Sequence, residues 1–172
     1  MKRDIKELVI LGLLGPLLFV GDVGFEMLPN IHLVGALLVV IAAVYRAKAL
    51  IPLYVYVFLN GLYGGFALWW VPYLYVWTIL WGGVMLLPRR LSPRWYVGWL
   101  IALCAAHGFL FGVLYAPAQA WLFGLDWRGL LTWIAAGLPF DAIHGAANLA
   151  LGLVLVPPLY KLLQKLKQAK EL

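Results

Sequence analysis

Apolar runs long enough to cross a bilayer recur along the whole chain, separated by short polar breaks. Six are read, at about 6–21, 28–45, 49–67, 70–87, 95–116 and 129–156. A ~30 Å hydrocarbon core takes about 20 helical residues, and the second and third runs are short for that task. Little polar sequence is left over. The pattern therefore predicts an all-α chain, an integral membrane bundle of six helices forming one domain over residues 1–172, with no soluble catalytic module.

The polar residues inside these runs are few, and one set is ordered. In the sixth run, Gly137, Asp141, His144 and Asn148 follow one another three or four positions apart, which places them on a single helical stripe. An ionised Asp at the centre of a membrane helix costs roughly 2.5–3.5 kcal/mol on insertion scales, so such residues face a bundle interior or a cavity. Asp141 and His144 are read as polar anchors of a binding pocket, and Asn148, a turn deeper, as interhelical packing. Asn60 in the third run reads as interhelical glue. His107 in the fifth run either does the same or shares a cavity with Asp141 and His144.

Composition agrees with the pattern. Hydrophobic residues make up 65% of 172 positions and charged ones 12%, and the mean hydropathy is +0.94, far from the roughly 25% charge of soluble domains. The net charge of +6 is a topology signal. Lys2, Arg3, Lys6, Arg46, Lys48, Arg89, Arg90, Arg94, Lys161, Lys165, Lys167 and Lys170 fall on one side of a six-helix threading, and Arg128 alone on the other. The positive-inside rule makes the first side cytoplasmic, with both termini inside. Basic residues so placed argue against nucleic-acid binding. The basic start followed by an apolar run resembles a signal peptide, but without an Ala-x-Ala-like site it reads as the first span. After Pro157-Pro158, Leu159, Leu162, Leu163 and Leu166 share one face, so residues 157–172 read as a short amphipathic cytoplasmic tail on the inner leaflet.

Glycine spacing and aromatic clustering add two expectations. Gly61/Gly65 and Gly108/Gly112 are Gly-x-x-x-Gly pairs that let helix backbones approach closely. The uncharged segment from Gly64 to Trp77 is dense in Trp and Tyr. Part of it is an interfacial belt; as a group, its rings also suit the lip of an outward pocket for a planar ligand. At the outer turn after the first span, Asp22 and Glu26 read as solvated, whereas Asn30 and His32 open a helix and are further candidates for substrate contact. Asp126 and Arg128 read as solvated loop residues.

Catalysis is disfavoured. There is no phosphate-binding Gly-rich Lys loop and no His-Glu-x-x-His. The only serine, Ser92, lies in a basic loop, and Asp141 has no membrane-embedded Asp partner. The single cysteine, Cys104, excludes an intrachain disulfide and a multi-cysteine metal site. Haem between His107 and His144 lacks supporting pattern. No cofactor and no metal are expected.

Leu28-Pro-Asn-Ile-His-Leu33, Asn60-Gly-Leu-Tyr-Gly-Gly-Phe66 through Trp77, and Leu138-Pro-Phe-Asp-x-x-His144, set in six short helices with both ends inside, resemble the substrate-binding S components of energy-coupling factor (ECF) ABC transporters. The resemblance spans nearly the whole chain. It implies a membrane protein that captures a vitamin or related micronutrient from outside. It further implies association with a transmembrane coupling subunit and two cytoplasmic ATPases, which hydrolyse ATP in its place. Carried onto this sequence, the binding positions are Trp69, Trp70, Tyr73, Trp77, His107, Trp133, Asp141 and His144, with the aromatic segment before the fourth helix closing over a planar ligand. Biotin-specific relatives carry Asp followed three residues later by Lys at a similar place; here His144 follows Asp141, which departs from a biotin assignment. The family often docks its coupling subunit through Ala-x-x-x-Ala on the first helix. This chain offers Gly12 and Gly15 there, three apart. A stand-alone solute transporter and a membrane assembly protein without ligand are the alternatives.

Overall fold

A computed structural model describes residues 2–88 and 90–169, and these are all-α. The helices are α1 (Lys2–Val23), α2 (Val34–Tyr45), α3 (Leu50–Gly64), α4 (Tyr73–Leu86), α5 (Pro93–Phe109), α6 (Phe111–Phe123) and α7 (Trp127–Gln168), with short 3₁₀ turns at Arg46–Ala49 and Leu68–Trp70. By length and composition the run 34–64 and helix α7 each suffice to cross a bilayer, and the bent α5–α6 pair makes a third. Arg89 and Lys170, both used in the charge argument, lie outside the described residues.

The run 34–64 is folded back on itself. A straight helix would hold residues 32 and 56 about 36 Å apart, yet the rings of His32 and Tyr56 each lie 5.7 Å from that of Trp77. The reversal sits at Arg46, whose φ of 55° breaks α2. The Arg46 guanidinium donates to the carbonyls of Val84 and Met85 (3.2 and 2.9 Å), and Trp81 Nε1 donates back to the Arg46 carbonyl (3.0 Å). A cation thus closes the C-terminus of α4, where the helix dipole favours it.

Pairings at the two ends fix the direction of every other helix. At one end Lys48 meets Glu7 at 2.6 Å and Lys167 donates to the Val44 carbonyl at 3.0 Å. At the other, Leu33 N–H donates to Gly21, Tyr56 to Asp22 and Tyr63 to Glu26. Helices α1, α3 and the α5–α6 pair therefore run away from the first end, and α2, α4 and α7 run toward it. The described basic side chains gather at the first end, with Arg128 at the other.

Helix α2, Val-Gly-Ala-Leu-Leu-Val-Val-Ile-Ala-Ala-Val-Tyr, has no polar side chain before its final tyrosine and is buried nearly all round. That is the position expected of a helix without a polar face. Around it, Leu11, Leu18, Leu53, Val57, Trp77 and Leu100 complete the core. The outer surface is strongly apolar: Leu13 and Val20 on α1 and Leu153 and Val154 on α7 are 60–69% exposed. Apolar area on that scale marks contact with lipid or a partner.

Two expected boundaries differ. The fifth run is longer than its apolar core and breaks at Leu110, turning by 42° between α5 and α6. The sixth does not stop at Pro157-Pro158: α7 continues through both prolines to Gln168, 42 residues in all. Its last turns are held by the tilted pairing of Tyr160 with Tyr96 and by Lys167 on Val44. The segment after the prolines is thus an extension of α7, packed on the bundle end through Leu159, Tyr160 and Leu163. At the other terminus of α7, Asp126 is exposed, as expected, and is also the N-cap of the helix, accepting from Gly129 N–H at 2.7 Å.

Candidate functional site

The three histidines of the chain converge. His32 is brought in by the turn that ends α1: Asn30 takes a left-handed φ of 60°, and Leu33 N–H is tied to the Gly21 carbonyl. His107 stands in the last turn of α5, before the break. His144 faces inward from α7. Trp77, 1% exposed on the buried side of α4, lies among them, its ring 5.7 Å from His32 and 5.2 Å from His107. His144 completes the group at 4.7 Å from His32 and 5.0 Å from Phe111.

Four ring nitrogens in this cluster are buried without a hydrogen-bond partner among the described residues: His32 Nδ1, Trp77 Nε1, His107 Nδ1 and His144 Nε2. Buried polar groups are paired in the great majority of cases, and an unpaired one costs about 1–3 kcal/mol. Some of the polarity is fixed. His107 Nε2 lies 3.1 Å from the Val76 carbonyl, which only accepts, so Nε2 carries the proton. In the neutral ring Nδ1 is then an acceptor, while Trp77 Nε1 is a fixed donor. The cluster therefore holds unpaired groups of both polarities. Among the described residues no three His, Cys, Asp or Glu side chains are placed to share a metal ion; the histidines meet as rings.

A cavity of about 240 Å³ opens near the cluster at the end away from the basic residues, lined by Asp22, Val23, Glu26, Asn60, Tyr63, Gly64 and Trp69. Two rings connect it to the cluster. Tyr56 donates to Asp22 at 2.8 Å and lies edge-on to Trp77; Tyr73 lies between Trp69 and Trp77, 5.5 and 6.1 Å from each. The carboxylates of Asp22 and Glu26 make the mouth unfavourable to anions.

Of the residues expected from sequence, Trp77, His107 and His144 form the centre together with His32, and Tyr73 and Trp69 line the way to it. Trp133 stacks on Tyr115 at 5.9 Å and reaches the cluster only through Tyr115 and Phe111. Trp70 faces another way, donating to the Val57 carbonyl at 2.7 Å and packing edge-on to Phe66. Asn30 shapes the turn. Nothing in the sequence pattern singles out Phe111, or Tyr56 beyond the faint signal of a hydroxyl in an apolar run. Asp22, which reads in the sequence as solvated like any loop carboxylate, instead accepts from Tyr56 and lines the cavity.

Asp141 has a different occupation. Both its carboxylate oxygens accept from Gly112 N–H, at 2.9 and 3.1 Å. The break at Leu110 leaves the first N–H groups of α6 without helical partners, and a carboxylate is the natural acceptor there. A side chain at 112 would overlap that carboxylate, so glycine is required by the close approach. Asn148 likewise joins α7 to α5 by donating to the Cys104 carbonyl at 3.1 Å. The expected pairing of Asp141 with His144 as two pocket anchors is thus replaced by a division: His144 faces the ring cluster and Asp141 holds α6.

The two glycines expected to dock a partner also part. Gly15 is buried against Val55 and Pro52 of α3, while Gly12 has open space around it. Only Gly12 remains on the free face of α1.

No protein-family model matches the chain, and no curated protein or solved structure matches it either.

Proposed function

We propose that this chain is the membrane-embedded substrate-capture subunit of an ECF-type importer, spanning the bilayer six times with both termini in the cytoplasm. It takes up a vitamin-sized molecule from outside and hands it on through a transmembrane coupling subunit driven by two ATPases. The reading is supported above all by one observation: four unpaired ring nitrogens, from His32, Trp77, His107 and His144, meet in one aromatic cluster beside a cavity at the end away from the basic residues. Under the positive-inside rule that end faces outward. The ligand is planar enough to lie among rings, carries both a donor and an acceptor, and is neutral or cationic, given Asp22 and Glu26 at the mouth. The free α1 face around Gly12 is the surface offered to the coupling subunit.

The test separates function from folding. His144→Leu and His32→Leu remove unpaired nitrogens from the interior, so each variant unfolds no earlier than wild type in detergent. Native mass spectrometry of gently purified wild type shows a retained small mass, and each variant loses it. Retention of that mass by both variants, or the lack of any retained mass in wild type expressed in rich medium, rules out this pocket.

A further inference from the structure

The end of the bundle opposite the aromatic cluster holds the larger cavity, about 390 Å³, lined by Ala43, Val44, Arg46, Leu91, Pro93, Tyr96, Tyr160, Gln164 and Lys167. Its polar groups are two cations, two phenol hydroxyls and an amide; among the described residues no carboxylate lines it. Both cations have neutral partners. Arg46 donates to the Val84 and Met85 carbonyls and Lys167 to that of Val44, so each closes a helix C-terminus. Capping does not use up their charge. A helix C-terminus carries about half a negative charge, so two termini leave roughly one of the two positive charges uncompensated. Donors also remain, since an arginine has five N–H groups and a lysine three.

We propose that this cavity binds a phosphate group. A tetrahedral oxyanion takes several donors at once, which matches Lys167, the unused Arg46 donors, the Gln164 amide and the tyrosine hydroxyls around one space. The phosphate comes either from the headgroup of an anionic lipid or from a soluble phosphate. The lipid source rests on the six-span reading, which puts this end at the inner leaflet; the soluble source does not. In either case the bound anion bridges α2, the segment before α5, and the end of α7.

The experiment titrates full-length protein in neutral detergent, following thermal stabilisation by dioleoylphosphatidylglycerol in one series and by inorganic phosphate in the other. Lys167→Gln keeps an amide donor for the Val44 carbonyl but loses the charge. It weakens apparent affinity by at least about tenfold, as expected for one charge-assisted hydrogen bond. Gln164→Leu, which leaves the charge intact, weakens it less. Lys161→Gln changes the net charge equally but lies outside the lining, and leaves affinity unchanged. Stabilisation by lipid alone assigns the headgroup, and stabilisation by both or by inorganic phosphate alone assigns a site for phosphate itself. Stabilisation by neither, or an equal loss in the Lys161 and Lys167 variants, overturns the proposal.

Discussion

Asp141 shows how a residue can be legible and its role not. Its presence in an apolar run marks it as special, but an unbroken fifth helix would leave it free to meet a ligand. The break at Leu110 assigns it to Gly112, and that break lies inside Gly-Phe-Leu-Phe-Gly, where no polar residue signals it. We expect Asp141→Ala to cost about 1–2 kcal/mol of stability, as for a lost N-cap. Gly112→Ala, which drives a methyl into the same carboxylate, should cost at least as much. Because both break one interaction, the double variant should be far less destabilised than the sum of the two. Thermal unfolding of the four proteins measures this, and strict additivity would show that Asp141 acts elsewhere. His144 was legible for a sounder reason. A polar ring in an apolar run needs company, although its meeting with His32, 112 positions earlier, depends on a turn that no local pattern specifies.

At the scale of elements, α7 lies antiparallel along the bent α5–α6 pair, and its glycines set the distance. Gly112 faces Asp141, Gly108 faces Gly145, Asn148 reaches Cys104, and Gly152 faces Ile101. The Gly-x-x-x-Gly pair of the fifth run thus packs within the chain, as its spacing suggested. Not all glycines are equal there. A methyl on Gly108 would meet the backbone of Gly145, which cannot withdraw, whereas one on Gly145 would meet the ring of Phe109, which is 44% exposed and can swing aside. Gly108→Ala should therefore destabilise by about 1–3 kcal/mol, in the range for overpacking, and Gly145→Ala by less. Gly12→Ala meets nothing and should be neutral or stabilising by up to about 1 kcal/mol, the helix preference of alanine over glycine. A reversed order between Gly108 and Gly145 in thermal unfolding would contradict the packing described.

For the whole molecule, the separation of charge between the two ends yields a topology that intact cells can report. In a Cys104→Ala background, Ala67→Cys at the outer aromatic segment should react with a membrane-impermeant maleimide, and Ser92→Cys at the basic end only after permeabilisation. The opposite pattern would invert the orientation and remove the uptake reading with it. The segment between α3 and α4 bears on timing as well as place. Trp70 fastens it to the Val57 carbonyl of α3, and Tyr115 of α6 fastens it through the Trp69 carbonyl. At about 1 kcal/mol each, two such fastenings leave it open roughly one part in 30. A ligand passing this segment would then be delayed equally on arrival and on departure. Tyr115→Phe should speed both by about fivefold, the factor for 1 kcal/mol, with the dissociation constant nearly unchanged. In stopped-flow binding, a shifted dissociation constant with unaltered rates would assign Tyr115 to the grip instead. If the chain captures a ligand as proposed, the segment works as a clock: it sets how long that molecule waits, and so how much time a coupling partner has to arrive.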